Sequence, residues 1–126
     1  MSDPILVVDA DQSCPRLPIV RNNGEALAVV WPGLGATMRS MNRISLKAGG
    51  ATIEMRHPSE AVYYVMAGDG AVNDPDAGSS DRIVEGSMFH VEPGTRYACE
   101  TGAAGLELVG GPCPADPGLY QPITGR

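Results

Sequence analysis

The sequence predicts an all-β sandwich or barrel, because short apolar runs alternate with turn signals and no helical period is present. The runs are rich in β-branched residues and recur at strand-and-turn spacing. They lie at 5–9, 26–31, 43–47, 51–57, 61–67, 82–86, 88–91, 97–101 and 106–110. Turn sequences rich in Gly, Pro, Asn and Asp stand between them, at 32–33, 49–50, 68–70, 73–81 and 93–95. No segment shows a convincing helical period of apolar residues.

The length of 126 residues fits one domain and leaves no room for a second. We therefore expect a single domain over residues 1–126, with a barrel core at about 26–110. An N-terminal arm at 1–25 and a tail at 111–126 flank this core. The tail is too rich in proline and glycine for regular structure, and we expect it to lie across the barrel or against a partner.

The composition argues against several functional classes. A formal net charge of −6 disfavours binding to nucleic acid or acidic lipid, because both need clustered Lys and Arg. The N-terminus lacks the features of a signal peptide, and no apolar stretch approaches the roughly 20 residues that span a bilayer. We expect a cytoplasmic protein without a membrane or nucleic-acid partner. Three widely spaced cysteines, Cys14, Cys99 and Cys113, fit neither a disulfide framework nor a thiolate zinc site, so we expect free thiols.

Two segments match the spacing of paired motifs found in a large superfamily of barrels. The segment at 49–70, GGATIEMRHPSEAVYYVMAGDG, follows the first motif: Gly, five residues, His-x-His, three or four residues, Glu, six residues, Gly. The segment at 86–97, GSMFHVEPGTRY, follows the second: Gly, five residues, Pro-x-Gly, two residues, His. The block from Gly50 to Gly94 therefore resembles the core of the cupin superfamily. The resemblance implies a double-stranded β-helix, which is a jelly-roll barrel, and a homodimer paired through segments such as the arm and the tail.

The residues at the family's ligand positions depart from its pattern. In metal-binding cupins, two His and one Glu of the first motif and the His of the second converge on the ion. Aligned on the motif glycines, these four positions carry Met55, His57, Ala61 and Tyr97. One ligand of four remains, and a chain with only two histidines cannot build a three-histidine site in one subunit. We therefore expect no bound metal and no other cofactor.

Strand alternation indicates which side chains enter the barrel. It predicts an interior that receives Met55, His57, Ala61, Tyr63, Val65, Tyr97 and Cys99. The walls would be mostly apolar, with one imidazole and two phenols, which suits a small and mainly apolar metabolite. Met88 and His90 share a face with each other, but the sequence does not decide whether it is the inner one. The candidate ligand-binding residues are Met55, Tyr63, Val65, Met88, His90 and Cys99.

Three functions are compatible with these residues. In the first, His57 and Tyr97 shuttle a proton in a metal-independent isomerase, lyase or cyclase. In the second, the domain senses or sequesters a hydrophobic metabolite without converting it. In the third, His57, His90 and Glu60 form a rebuilt metal site. The third requires an inward His90 and a bulge at Glu60, because a one-residue slip on a strand reverses the face of a side chain.

Overall fold

The computed structural model describes residues 4–124, most of which lie in antiparallel strands, so the all-β prediction is confirmed. The strands are β1 (Val20–Val30), β2 (Met41–Thr52), β3 (Glu60–Asp74), β4 (Ser79–Val84), β5 (Met88–Val91) and β6 (Ala98–Cys113). Two short helices, α1 (Ala10–Ser13) and α2 (Pro117–Thr124), flank the strands, and a 3-10 turn covers Pro32–Leu34. Within the described range, neither helix has the length and apolar character needed to cross a membrane. The strands extend beyond the expected core of 26–110 at both ends, and the outermost residues of the expected arm and tail, 1–3 and 125–126, lie outside the described residues.

The strands form one sheet in the order β1-β2-β6-β3-β4. β5 pairs with the first part of β3 and β4 with its last part, both along the edge opposite β6. The pairing of β3 with β6 shifts register between Val65 and Ala67 and between Gly68 and Gly70. Such bulges let strands of 15 and 16 residues bend around a core. Gly68 has a φ of 85°, and a side chain there would collide with the Gly105 carbonyl, so the bend requires glycine.

The side chains predicted to enter the barrel do so. All seven are buried, with at most 5% of the residue exposed: Met55, His57, Ala61, Tyr63, Val65, Tyr97 and Cys99. The intervening residues of β3 point outward, with Val62 exposed by 39% and Tyr64 by 40%. The predicted inward orientation is therefore confirmed, and it follows from the period of two along β3.

The prediction of a strand at 5–9 is wrong. Those residues have no regular structure in the chain as described, and α1 follows them. A strand needs a partner with free backbone groups, and a later part of the arm occupies the edge of β1. There the Ala28 N–H donates to the Pro15 carbonyl at 3.0 Å, and the Leu17 N–H donates to the Ala26 carbonyl at 2.8 Å.

The strand predicted at 51–57 is interrupted, because β2 ends at Thr52. Met55 rejoins the structure through an isolated bridge to Tyr97, with backbone hydrogen bonds of 2.8 and 2.9 Å. The glycine pair at 49–50 is also not a turn. It lies inside β2, where the register with both neighbouring strands shifts. The bridge therefore fixes the backbone of Met55 beside that of Tyr97.

The expectation that the tail lacks regular structure is wrong, because Pro117 suits a helix start and α2 continues through Pro122. Pro117 stands at the first helical position, where a missing N–H is not needed. The side chain of the preceding Asp116 accepts a hydrogen bond from the Gly118 N–H at 3.0 Å. Tyr120 of α2 is 1% exposed, and its hydroxyl donates to Asn42 Oδ1 at 2.7 Å. The tail therefore packs on its own barrel.

Candidate functional site

Four side chains form a continuous series of hydrogen bonds inside the barrel. Asp116 Oδ2 lies 2.8 Å from His57 Nδ1, and His57 Nε2 lies 2.8 Å from the Tyr97 hydroxyl oxygen. The Tyr97 hydroxyl lies 2.7 Å from that of Tyr63. All three distances are those of well-formed hydrogen bonds, so no bridging water is needed between the groups. We refer to Asp116, His57, Tyr97 and Tyr63 as the buried polar chain.

Each member of the buried polar chain comes from a different part of the sequence. His57 lies between β2 and β3, and its carbonyl accepts a hydrogen bond of 2.8 Å from the Gly94 N–H. Tyr97 immediately precedes β6 and is held by its backbone bridge. Tyr63 lies on the inner face of β3, and Asp116 lies just before α2. The site therefore exists only when the motif loops, β3 and the tail are all assembled.

Burial governs the electrostatics of the buried polar chain. Only 2% of the His57 side chain and 14% of the Asp116 side chain are exposed. Burial raises the pKa of Tyr97 well above its ordinary value, and the neighbouring Tyr63 raises it further. Burial likewise raises the pKa of Tyr63, although its hydrogen bond with Tyr97 opposes part of that increase. Both phenols are therefore neutral at physiological pH and act as hydrogen-bond donors.

A cavity of about 540 Å³ opens beside the buried polar chain, and Tyr97 forms part of its wall. This volume is in the range that small metabolites occupy. Phe89, which lines the cavity, stacks on Tyr63 with ring centroids 5.1 Å apart. The apolar part of the lining includes Val72, Ile83, Phe89 and Val91, and the polar part includes Asn73, Asp74, Ser79, Asp81 and Arg82. The cavity is thus amphipathic, which differs from the mostly apolar walls predicted from strand alternation.

Solved structures resemble the chain at low sequence identity. A predicted oxalate decarboxylase from Thermotoga maritima superposes with a TM-score of 0.70 at 20% identity, covering 86% of this chain and 98% of that one. An RmlC-like cupin from Shewanella frigidimarina gives a TM-score of 0.67 at 18% identity, covering 90% and 93% of the two chains. The chain has the cupin fold. The resemblance stated from the motif spacing is therefore confirmed for the fold, including the double-stranded β-helix.

The same cupin fold serves several activities. The polyketide cyclase RemF from Streptomyces resistomycificus is similar with a TM-score of 0.70 at 19% identity, covering 86% of this chain and 80% of that one. No protein-family model matches this chain, and no curated protein matches its sequence. Because fold alone does not decide activity, function has to be argued from the residues of the site.

The residues predicted for the pocket separate into three groups. The structure joins His57, Tyr97 and Tyr63 by hydrogen bonds. In contrast, Met55, Val65 and Cys99 lie in the packed core and are not among the residues that line the cavity. Burial raises the pKa of the Cys99 thiol to about 12, so the thiol stays protonated and behaves as a small apolar side chain. The three cysteines are free, as expected.

Met88 and His90 lie on the outer face of β5. Met88 is 70% exposed, and the His90 side chain is 50% exposed, whereas the alternate residues Phe89 and Val91 face the core. Met88 and His90 border the outer rim of the cavity. His90 Nε2 contacts Glu60 Oε1 at 2.6 Å, and this pair is exposed on the surface.

The residues at the positions that carry metal ligands in metal-binding cupins do not fit a metal ion in this chain. Both ring nitrogens of His57 are already hydrogen-bonded, Ala61 has no donor atom, and Tyr97 is a neutral phenol. The alternative site of His57, His90 and Glu60 does not fit a metal ion either, because Glu60 faces outward. The bulge that would turn Glu60 inward is not present there, since the register shifts between β3 and β6 lie farther along the strand. Within residues 4–124, no group of three or more His, Cys, Asp or Glu side chains is arranged to hold a metal ion.

Sequence reasoning missed Asp116 and Phe89. Asp116 lies 59 residues from His57 in the chain, in a tail that the sequence suggested to be irregular. The Asp-Pro-Gly sequence at 116–118 is itself a helix-start signal and could have identified this aspartate as a cap. Phe89 lies between Met88 and His90 on β5 and so faces the opposite side of the sheet. If the sequence had shown that Met88 and His90 face outward, it would have placed Phe89 inside.

Proposed function

We propose that this cupin domain binds a small metabolite and moves a proton to or from it without a metal ion, as an isomerase, lyase or cyclase. The observation that carries the proposal is the buried polar chain, which runs from Asp116 through His57 to Tyr97 at the cavity wall. A carboxylate, an imidazole and a phenol in hydrogen-bond contact are groups that general acid–base catalysis uses. The proposed ligand is a small amphipathic molecule, and the proposed assembly is a homodimer.

The proton balance of the proposed reaction follows from the two protonation states of His57. When His57 is neutral, its Nε2 accepts the Tyr97 O–H. When His57 is protonated, Nε2–H donates to the Tyr97 oxygen and frees the phenolic hydrogen for a ligand in the cavity. Tyr97 then donates its proton to the ligand oxygen as it takes one from His57, so the phenol is restored and the imidazole becomes neutral. The reverse sequence returns a proton from the ligand oxygen through Tyr97 to His57 Nε2.

The raised pKa of Tyr97 decides which role the phenol plays. Because burial opposes the phenolate, Tyr97 does not accumulate as an anion that could act as the resting base. When His57 is protonated, Tyr97 can instead donate a hydrogen bond to a ligand oxygen on which negative charge develops, such as that of an enolate, while solvent takes the proton from the neighbouring carbon. The proposed ligands are therefore carbonyl compounds with an acidic neighbouring C–H bond. The similarity to a polyketide cyclase is a further reason to include 1,3-dicarbonyl compounds among the candidates.

A binding module without turnover is the second candidate function. Tyr97 and Tyr63 are each only 1% exposed, and the four polar groups satisfy one another. A self-satisfied buried network can also serve only to fix a unique core. This alternative predicts ligand binding with no chemical change.

The test is proton exchange at carbon in D₂O. Wild-type protein is incubated in chelator-treated buffer with a panel of cyclic 1,3-diketones and aryl methyl ketones, and loss of the α-proton signal is followed by NMR. We expect exchange above the buffer rate for at least one compound, and a reduction of roughly 10²–10⁴-fold in Tyr97→Phe. Ligand-induced shifts in melting temperature should be nearly the same in both proteins, because the hydroxyl acts mainly in the transition state.

Tyr64→Phe is the matched control, because it removes the same hydroxyl from a tyrosine on the outer face of β3. Its exchange rate should equal that of the wild type. Exchange in Tyr97→Phe within a few-fold of wild type would remove the phenol from the mechanism. Melting shifts without any exchange across the panel would instead favour the binding module.

A further inference from the structure

Asp116 uses both oxygens of its carboxylate group. Oδ2 lies 2.8 Å from His57 Nδ1, while Oδ1 accepts the Gly118 N–H at 3.0 Å. Only 14% of the side chain is exposed. An ionised carboxylate accepts hydrogen bonds and cannot donate one, so the hydrogen of the bond to His57 must reside on Nδ1.

The position of that hydrogen sets the direction of every bond in the buried polar chain. Neutral His57 with its hydrogen on Nδ1 presents Nε2 as an acceptor, so the Tyr97 hydroxyl donates to it. The Tyr97 hydrogen is then used, and the Tyr63 hydroxyl must donate to the Tyr97 oxygen. With the hydrogen on Nε2 instead, the bare Nδ1 lone pair would face the carboxylate, and the two acceptors would repel each other.

We propose that Asp116 is a positioning residue that holds His57 in the Nδ1–H tautomer. The unprotonated Nε2 of His57 then stays available to accept the hydrogen bond of the Tyr97 hydroxyl. Asp116 acts through His57 and does not contact the ligand. The tautomer is a property of the resting protein, whereas the consequence for turnover rests on the proposed proton-transfer function. The C-terminal segment that carries Asp116 is therefore part of the site, although it lies outside both sequence motifs.

The variant Asp116→Asn tests this inference because the backbone dictates how the amide must orient. The Gly118 N–H needs an acceptor, so the amide oxygen turns toward it. The NH₂ group then faces His57 Nδ1, where the carboxylate oxygen had been. A donor at that place requires an acceptor at Nδ1, which moves the imidazole hydrogen to Nε2. Size and shape barely change, while the tautomer should be reversed.

The measurement is two-bond ¹H–¹⁵N correlation NMR of the imidazole rings at the high-pH plateau of their titration. The chain has two histidines, so His90→Gln assigns both sets of signals. In the wild type, we expect His57 Nδ1 to show the shift of a protonated ring nitrogen and Nε2 that of an unprotonated one. In Asp116→Asn the two shifts should exchange places. Glu60→Gln is the control, because it alters the exposed carboxylate beside His90 and should leave the His57 signals unchanged.

The wild-type spectrum alone can overturn the inference, even if a variant fails to fold. An Nε2–H tautomer in the wild type contradicts it directly. A wild-type Nδ1–H tautomer that persists in Asp116→Asn contradicts it as well, because something other than the carboxylate would then hold the ring.

The exchange rate of Asp116→Asn distinguishes a failure of this inference from a failure of the proposed function. If both stand, Asp116→Asn reverses the tautomer and lowers the exchange rate constant on the order of 10²–10⁴-fold, with little change in ligand affinity. A reversed tautomer with unchanged exchange supports the role of Asp116 in positioning the ring and contradicts the proposed proton path. A reduced exchange rate without reversal contradicts the positioning role.

Discussion

At the scale of single residues, Tyr97 shows how the side chain at one motif position limits what a barrel of this fold can bind. The motif resemblance places it where a metal-binding member has its last histidine, and the structure gives it two polar partners and 1% exposure. A phenol must lose its proton before it binds a metal ion well, and burial makes that loss harder by raising its pKa. The same burial keeps the hydroxyl protonated, so it remains available as a hydrogen-bond donor. A buried phenol at this position therefore disfavours metal binding and is compatible with the proposed proton donation.

The first prediction concerns metal content. Protein purified without a tag and dialysed against chelator should contain no stoichiometric iron, manganese, nickel, copper or zinc by elemental analysis. The reason is that His57 has both nitrogens engaged and Ala61 supplies no donor atom. Added metals should also leave the melting temperature unchanged, because a ligand of the native state would raise it. About one ion per subunit, lost in His57→Ala, would instead support a metal site.

The second prediction concerns stability at alkaline pH. Burial raises the pKa of Tyr63 and of Tyr97 in the folded protein, and raises that of Cys99 to about 12. In the unfolded chain the pKa of these groups is about 10 for tyrosine and about 8.5 for cysteine. The unfolded state therefore loses protons first as pH rises, so their contribution is fully present below about pH 8.5 and declines above it. Each group weakens folding by up to about 1.4 kcal/mol per pH unit in that window.

Melting scans from neutral to strongly alkaline buffer provide the measurement. Tyr63→Phe should show a shallower decline than wild type, because it removes one of the ionising groups. Phenolate absorbance should develop at a lower pH in denaturant than in the folded protein. A melting temperature that is flat across the alkaline range would show that these groups titrate alike in both states.

At the scale of elements, the sequence predicts the strands well and the ends of the chain poorly. The burial of Ala61, Tyr63 and Val65 follows from alternation along one strand, which is a local property. The arm at 5–9 has strand-like composition, but pairing depends on whether a sheet edge is free, and a later part of the arm occupies that edge. The position of Asp116 depends on α2, which begins at Pro117. Proline content alone does not show that one of these prolines stands at a helix start. Long-range contacts of this kind cannot be derived from local pattern.

The third prediction concerns how α2 is held to the barrel. Tyr120→Phe removes the hydroxyl that donates to Asn42 Oδ1 while leaving the ring against Trp31, with centroids 5.4 Å apart. Asn42 is fully buried, and its Nδ2 already has no hydrogen-bond partner within the described part of the chain. Loss of the remaining contact should destabilise the protein by about 1–3 kcal/mol in denaturant unfolding. Tyr64→Phe, on the exposed face of β3, should change stability by less than about 0.5 kcal/mol.

Because α2 also positions Asp116, the Tyr120 variant should disturb the buried polar chain as well. The His57 ring signals in Tyr120→Phe are expected to broaden or shift, whereas those in Tyr64→Phe should match wild type. Unchanged stability in Tyr120→Phe would mean that the ring alone anchors α2.

At the scale of the whole molecule, the described surface carries apolar side chains that a monomer would leave in water. In the arm, Ile5 is 78% exposed, Leu6 64% and Val7 79%. On the outer face of the sheet, Tyr64 and Met88 are paired across β3 and β5 and are 40% and 70% exposed. Contiguous exposed apolar side chains are typical of interaction surfaces. The tail, by contrast, packs on its own barrel, so it no longer supports pairing between subunits as the sequence suggested.

The fourth prediction is that the protein is a homodimer that buries these apolar side chains. Light scattering at micromolar concentration should give twice the monomer mass of 13.1 kDa. Two paired variants then locate the interface: Ile5→Ser with Val7→Ser in the arm, and Tyr64→Ser with Met88→Ser on the outer face. The pair that lies in the interface should shift the mass toward the monomer, because removing apolar area from the contact weakens association. The other pair serves as its control. A monomer mass for the wild type would contradict the prediction, and a dimer that resists both pairs would place the interface on another surface of the barrel.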